Sequence, residues 1–152
     1  MNGEKIIIID YGSQFTQLIA RKVRELGAYS EIINFLQINK LKKDKLLKGI
    51  ILSGGPLTAT NKKTPKLNSE IINLKIPILG ICYGHQILAK KLGGKIKGSK
   101  KREFGRAYVK SFTKSPITKK FFITKKNSVW MSHQDIVSVM PKGFKKIASS
   151  PS

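Results

Sequence analysis

The sequence predicts an α/β fold: an open, mostly parallel sheet flanked by helices, with antiparallel strands in the C-terminal part. Three observations predict it. Short apolar runs such as Ile6 to Ile9 and Ile50 to Leu52 stop at loop-forming residues, as parallel strands buried on both faces do. Amphipathic helical patterns separate these runs as far as Gly93-Gly94. From Lys95 onward short segments punctuated by Gly, Ser and Pro favour antiparallel pairing.

The first strand spans residues 5 to 9 and ends at Asp10-Tyr11-Gly12. Phe15, Leu18, Ile19, Val23 and Leu26 then keep helical spacing, with Ser13 as the expected N-cap and Gly27 as the expected C′ residue. Residues 29 to 35 alternate and give a second strand, Leu41 to Leu47 predict a short helix, and Gly49 to Ser53 give the third strand, broken sharply at Gly54-Gly55-Pro56. Residues 57 to 65 lack periodicity and predict a surface loop, followed by a helix from about Lys66 to Leu74. Pro77 opens the fourth strand, and the helix after it places Ile87, Leu88 and Leu92 on one face. The later strands are expected at Arg106 to Phe112, Ser128 to Met131, Ile136 to Val139 and Phe144 to Ala148. With 152 residues and neither repeat nor linker, one domain is expected.

The formal charge is +22, from 30 basic and 8 acidic residues, and such a chain attracts phosphates. Its distribution argues against a dedicated nucleic-acid surface. Lysines are scattered from Lys40, Lys42 and Lys43 to Lys145 and Lys146, with no base-reading motif and few aromatics interleaved. Four of the thirty are arginine, whose planar fork grips phosphates and base edges in bidentate fashion. A solvated lysine-rich surface with no specific nucleic-acid partner is therefore preferred over a basic nucleic-acid-binding module. A single cysteine excludes an internal disulfide framework and fits a reducing compartment, and with two histidines it is too little for an ordinary zinc site. The N-terminal apolar run is too short, and too soon followed by Asp10, to be a signal-peptide core. A cytoplasmic location without a membrane partner is expected.

Chemistry concentrates at the one cysteine. In Ile78-Leu79-Gly80-Ile81-Cys82-Tyr83-Gly84-His85-Gln86 an apolar run stops at a thiol between two glycines and a helical pattern begins. A thiol at such a turn projects into a cleft, its thiolate is favoured by the helix N-terminus, and the next backbone N–H groups point toward a developing oxyanion. A free cysteine without context is more often a small core hydrophobe. Gly80 and Gly84, by leaving space beside the sulfur for a substrate, favour the nucleophile.

Ser53-Gly54-Gly55-Pro56 follows the third strand and would read as a plain turn were there no cysteine loop. Ligands of open α/β sheets bind outside the carboxyl ends of the strands, so both loops are expected to face one cleft. The N–H groups of Gly55 and Tyr83 would then converge on one carbonyl oxygen, an arrangement suited to acyl transfer. Neither Ser53-Gly54-Gly55 nor Gly12-Ser13-Gln14 completes a nucleotide motif: the first lacks a P-loop ending and the second the dinucleotide glycine spacing.

Gly80 to Gln86 resembles the nucleophile motif of the class I (triad) glutamine amidotransferases, and Ser53-Gly54-Gly55-Pro56 resembles their oxyanion loop. Asp10-Tyr11-Gly12-Ser13-Gln14-Phe15-Thr16-Gln17-Leu18-Ile19-Ala20-Arg21-Lys22-Val23-Arg24-Glu25-Leu26-Gly27 resembles, more narrowly, the opening of the amidotransferase domain of GMP synthases. Arg102-Glu103-Phe104-Gly105 and Trp130-Met131-Ser132-His133-Gln134-Asp135 agree with the same family, and the resemblance runs from Lys5 to Ser150. It implies a flavodoxin-like layering of sheet and helices.

It also implies Cys82 as the nucleophile on the side-chain amide of glutamine, with the oxyanion on the N–H groups of Gly55 and Tyr83 and a glutamyl thioester that water hydrolyses after ammonia leaves. Gln86 would contact the bound glutamine, and the backbone around Ser132, His133 and Gln134 would line the same pocket, with plain packing as the other reading of His133. The ammonia would pass to a GMP synthetase (ATP pyrophosphatase) domain or subunit that aminates XMP to GMP. ATP and Mg are expected only there, with no cofactor or metal in this chain. The pattern departs from the family where Gln134 stands in place of the usual glycine. No His-Pro-Glu segment, the family's source of the base, precedes Pro151-Ser152, and neither His85 nor His133 matches it. The resemblance thus implies a partial, C-terminally truncated amidotransferase domain without ATP pyrophosphatase or dimerisation regions. It is read as the glutaminase part of a GMP synthase, with an impaired remnant or docking subunit as the alternative.

Overall fold

A computed structural model describes residues 3–113, 115–118, 120, 124 and 126–150, with backbone alone at 39, 40, 42, 43, 99–103, 133 and 134. The sheet is organised by β1 (Lys5–Asp10), in which Ile7, Ile8 and Ile9 are all essentially inaccessible. Successive strand side chains point to opposite faces, so three buried neighbours require a layer on each side. β1 pairs in parallel with β2 (Tyr29–Asn34) and β3 (Leu47–Leu52), and β3 pairs in parallel with β4 (Ile78–Gly80), giving the order β2-β1-β3-β4. This is the expected open parallel sheet.

The helix α1 (Thr16–Glu25) covers the face that carries Ile8 and Ile51, with Ala20 against them and Ile19 and Val23 partly buried. Its buried stripe is Thr16, Ile19, Ala20 and Val23, at helical spacing. Phe15, Leu18 and Leu26, expected on that stripe, flank it and are exposed. The small Ala20, not a large apolar side chain, centres the contact. Ser13 does not cap the helix either. Phe15 holds the N-cap position without a side-chain bond, and Ser13 Oγ accepts from the Phe15 N–H at 3.1 Å, two residues along. The C-terminus follows expectation: Gly27 has φ +87°, its N–H reaches the Arg24 carbonyl, and the Ala28 N–H reaches the Val23 carbonyl, a Schellman closure.

The opposite face of the sheet meets α2 (Ser69–Asn73), α3 (Tyr83–Lys91) and a 3₁₀ segment over Phe35–Lys43. Ile7, Ile9, Ile50 and Leu52 form the larger core with Ile38, Ile71, Tyr83 and Ile87. The 3₁₀ segment lies earlier than the helix expected over Leu41 to Leu47. Asn34 fixes its start: the Asn34 side chain accepts the Leu36 N–H at 2.9 Å while the Gln37 side chain accepts the Asn34 N–H at 3.3 Å. The helix expected over Lys66 to Leu74 is likewise shorter, because Asn68 caps it by accepting the Glu70 N–H. The loop over residues 57–65 is not wholly superficial, since Ala59 is buried in the larger core.

Beyond α3 the chain forms a long antiparallel ribbon of β5 (Lys95–Ser111) and β6 (Lys126–Val139), with the two-residue β7 (Ala148–Ser149) on the β5 edge. The four short strands expected in this part are therefore mostly segments of two long ones. Glycine that reads as punctuation is absorbed within β5: the register shifts between Gly98 and Glu103, and Gly105 takes φ +98° without ending the strand. Residues 144–147 lie outside the strands. Among the described residues no helix is long and apolar enough to cross a membrane.

Candidate active site

Cys82 lies between the end of β4 and the first turn of α3, at φ 48° and ψ −114°. A non-glycine residue with positive φ at a sharp strand-to-helix turn is the geometry of a nucleophile elbow. The residue is exposed and fronts two cavities.

The flanking glycines have a different function from the one expected of them. A Cβ on Gly80 would stand 2.6 Å from the His85 Cα, and one on Gly84 would stand 2.4 Å from the Leu52 carbonyl oxygen. They allow the elbow to close on its own helix and on β3, and do not open space for a substrate. The loop glycines are pressed as closely: a Cβ on Gly55 would meet the Tyr11 carbonyl oxygen at 2.4 Å, and one on Gly54 would stand 3.4 Å from the Cys82 Cβ. Loop and elbow are therefore packed directly against each other, as their places at adjacent strand ends predict.

Ser53, fully buried, ties the two together. Its hydroxyl accepts the Tyr11 N–H at 3.0 Å and donates to the Gly54 carbonyl at 2.8 Å, while its own carbonyl accepts the Gly84 N–H at 3.1 Å. Tyr83, also buried, donates its hydroxyl to the Pro65 carbonyl and sets its ring edge-on to Tyr11, 5.5 Å between centroids. Burial pushes the Tyr83 phenol up, and more strongly that of Tyr11, so both rings are neutral packing elements at physiological pH.

A cleft of about 150 Å³ opens above this floor, lined by Gly55, Cys82, Tyr83, Gln86 and Ser132 together with Phe104 and Asp135 among others. Five of the seven residues singled out in the sequence thus border one space. The other two, His133 and Gln134, have their backbones in β6, and their side chains lie outside the described residues. Gln86 is buried and donates from Nε2 to the Asp135 backbone carbonyl at 3.0 Å, so its amide is engaged in holding β6 beside the elbow. His85 is exposed on the first turn of α3 and lines the second cavity, of about 540 Å³, with Cys82.

Asp135 was not singled out by its sequence context. It is buried, and its carboxylate accepts the Ala59 N–H at 2.8 Å and the Thr60 N–H at 3.4 Å, fastening the loop after Pro56 to β6. The available signal was its rarity, as the last of eight acidic residues in a chain with 30 basic ones. A carboxylate retained in such a composition, next to the Ser132-His133-Gln134 motif, has a structural partner to account for it.

Burial pushes the Cys82 thiol up from its ordinary value, against the thiolate preference expected from the helix N-terminus. Although the residue is exposed, protein packed around the sulfur desolvates the charged form, and that desolvation is the effect with a direct structural cause. Since the thiolate is the nucleophile, alkylation of Cys82 by iodoacetamide is expected to rise about tenfold per pH unit through neutrality and to level off only above the usual cysteine range. A plateau already reached below pH 7 would contradict this direction.

Comparison with known proteins gives the arrangement its family. The model of the family described as glutamine amidotransferase class-I matches residues 7–152. The sequence is 46% identical over 151 residues to GMP synthase [glutamine-hydrolyzing] of Brachyspira hyodysenteriae, covering 99% of this chain and 29% of that protein. It is 48% identical over 148 residues to the protein of the same name from Treponema denticola, covering 97% and 28%. The chain thus spans less than a third of the length of these relatives. In structure it resembles a glutamine amidotransferase from Thermotoga maritima with a TM-score of 0.78 at 22% identity, covering 99% of this chain and 69% of that one. The chain belongs to the class-I glutamine amidotransferase family and is similar in sequence to the amidotransferase part of GMP synthases.

Proposed function

We propose that this chain is the glutamine-hydrolysing part of a GMP synthase. The observation that carries the proposal is the convergence of the Cys82 elbow, Gly55 at the end of the Ser53-Gly54-Gly55 loop, and the Gln86 and Ser132 walls on one cleft. In this reading the Cys82 thiolate adds to the side-chain amide carbon of glutamine, and the carbonyl electrons move onto oxygen. The resulting oxyanion is held by the N–H groups of Gly55 and Tyr83. The proton taken from the thiol is delivered to the nitrogen, and collapse expels ammonia and leaves a γ-glutamyl thioester. Water then adds to the thioester and releases glutamate and the thiol.

Burial holds the thiol up, so forming the thiolate calls for a general base. We assign that role to a group carried by polypeptide other than these 152 residues, and a missing acid–base partner costs about 10²–10⁴-fold. The backbone around Ser132, His133 and Gln134 would frame the glutamine. Ammonia would pass to a GMP synthetase portion that binds ATP and Mg and aminates XMP, in the cytoplasm. The relatives' greater length supports such a partner.

The test is ammonia and glutamate release from glutamine, measured for this chain alone and with the separately expressed remainder of the Brachyspira hyodysenteriae relative. Equal amounts of both products are expected, rising when the partner is added and absent in Cys82→Ala. Absence of both products even with the partner present would sink the proposal.

A further inference from the structure

We infer that the Ser53 hydroxyl is the positioning group of the oxyanion site, setting the direction in which the Gly55 N–H points. The inference rests on the glutaminase reading above. A peptide unit is a rigid trans plane whose C=O and N–H point in opposite directions. The carbonyl that Ser53 Oγ holds at 2.8 Å belongs to Gly54, and the N–H of that same plane is that of Gly55. Pinning the carbonyl toward Ser53 therefore aims the Gly55 N–H to the other side.

Both residues bounding this plane are glycines, so no Cβ of their own restricts φ and the plane's direction rests on packing and hydrogen bonding. The Ser53 side chain supplies the hydrogen bond. It is itself held from two sides. Its oxygen accepts the Tyr11 N–H at the end of β1, and its backbone carbonyl takes the Gly84 N–H, one residue past Tyr83, which carries the other proposed oxyanion donor. Ser53 is 0% exposed, so water does not compete for these bonds. The buried hydroxyl thereby ties the Gly54 carbonyl to the end of β1, while the Ser53 backbone carbonyl sets the register of the loop against the elbow.

The experiment compares two reactions of the same sulfur. With N-acetylglutamate γ-semialdehyde, whose blocked amine prevents cyclisation, the Cys82 sulfur adds to the aldehyde carbon. The C=O π electrons pass to oxygen, which takes up the thiol's proton, giving a reversible thiohemiacetal. That oxygen occupies the oxyanion position. Iodoacetamide instead forms an S–C bond with loss of iodide and needs no oxyanion donor. Ser53→Ala is expected to weaken the aldehyde adduct about tenfold to a hundredfold while leaving the alkylation rate within about twofold, and Ser53→Thr is expected to restore the adduct. In the unmodified chain, the Gly55 amide resonance is expected to move on adduct formation, a measurement that can overturn the inference even if Ser53→Ala does not fold. Equal adduct affinity in Ser53→Ala overturns the assignment of Ser53 alone, and a Gly55 amide that does not respond in the wild-type adduct overturns that assignment together with the placing of the Gly55 N–H on the oxyanion. A wild-type chain that is alkylated but forms no aldehyde adduct overturns the glutaminase reading and this inference with it.

Discussion

Replacing Cys82 by glycine is expected to make the protein more stable than replacing it by alanine, while both changes abolish ammonia release. The reason is the backbone at φ 48° and ψ −114°, which is costly for any residue with a Cβ and open to glycine. Strain of this kind is worth about 1–3 kcal/mol. Alanine keeps the Cβ and therefore the strain, so Cys82→Ala should lie within about 0.5 kcal/mol of the wild type. Glycine removes it. Against that gain stands the extra freedom of glycine in the unfolded chain, about 0.4–1 kcal/mol relative to alanine. The balance favours Cys82→Gly by about 1 kcal/mol, or about 2–4 °C in thermal midpoint for a chain of this size. At an ordinary surface position the order of the two variants is the reverse, so the sign is diagnostic. A Cys82→Gly protein that melts below Cys82→Ala would show that the elbow stores no strain.

This strain marks the boundary of what the residues disclose in one dimension. The elbow was legible because an apolar run, a thiol and a helical pattern follow one another within Ile78 to Gln86, and each is a local signal. The purpose of Gly80 and Gly84 was not, because their neighbours are the His85 backbone and the Leu52 carbonyl, and the latter contact is set only by the pairing of β3 with β4. The Ile7-Ile8-Ile9 run announced a strand buried on both sides, and it is one. The stripe of α1 was read from large apolar side chains. Its contact is centred on Ala20, so Phe15, Leu18 and Leu26 fall outside it. Asn34 and Asn68 moved helix starts by capping, a local signal that was available and outweighed by periodicity. The length of β5 was hidden for a different reason. A ribbon can absorb Gly98 and Gly105 as irregularities only once β6 lies beside it. Asp135 belongs with these nonlocal cases, since its carboxylate answers backbone N–H groups some 75 residues away.

Gly84 brings the local and nonlocal demands into direct conflict, and its replacement by alanine is expected to be among the most damaging single changes in the chain. Gly84 lies in α3, where alanine is favoured over glycine by about 1 kcal/mol on helix propensity alone. Propensity therefore predicts a gain. A Cβ at this position would, however, stand 2.4 Å from the Leu52 oxygen, 2.6 Å from its Cβ and 2.7 Å from its carbonyl carbon. None of these is the far end of a flexible side chain. Leu52 is fully buried at the end of β3, where its carbonyl accepts the Ile81 N–H at 3.0 Å, so relief requires α3 to move off the sheet. That movement would break the Gly84 N–H bond to Ser53 and separate the elbow from the Ser53-Gly54-Gly55 loop. Overpacking of this order costs about 3 kcal/mol, which exceeds the propensity term and corresponds to a fall of about 6–12 °C in thermal midpoint. Ammonia release should be lost with it, because the two proposed oxyanion donors would no longer face one point. Gly93→Ala gives the contrast: Gly93 has φ +93° but no atom within 4 Å of an added Cβ, so its cost is conformational, about 1 kcal/mol, and the cleft is untouched. A thermal midpoint for Gly84→Ala at or above that of Gly93→Ala would mean that α3 does not rest on the Leu52 carbonyl as described.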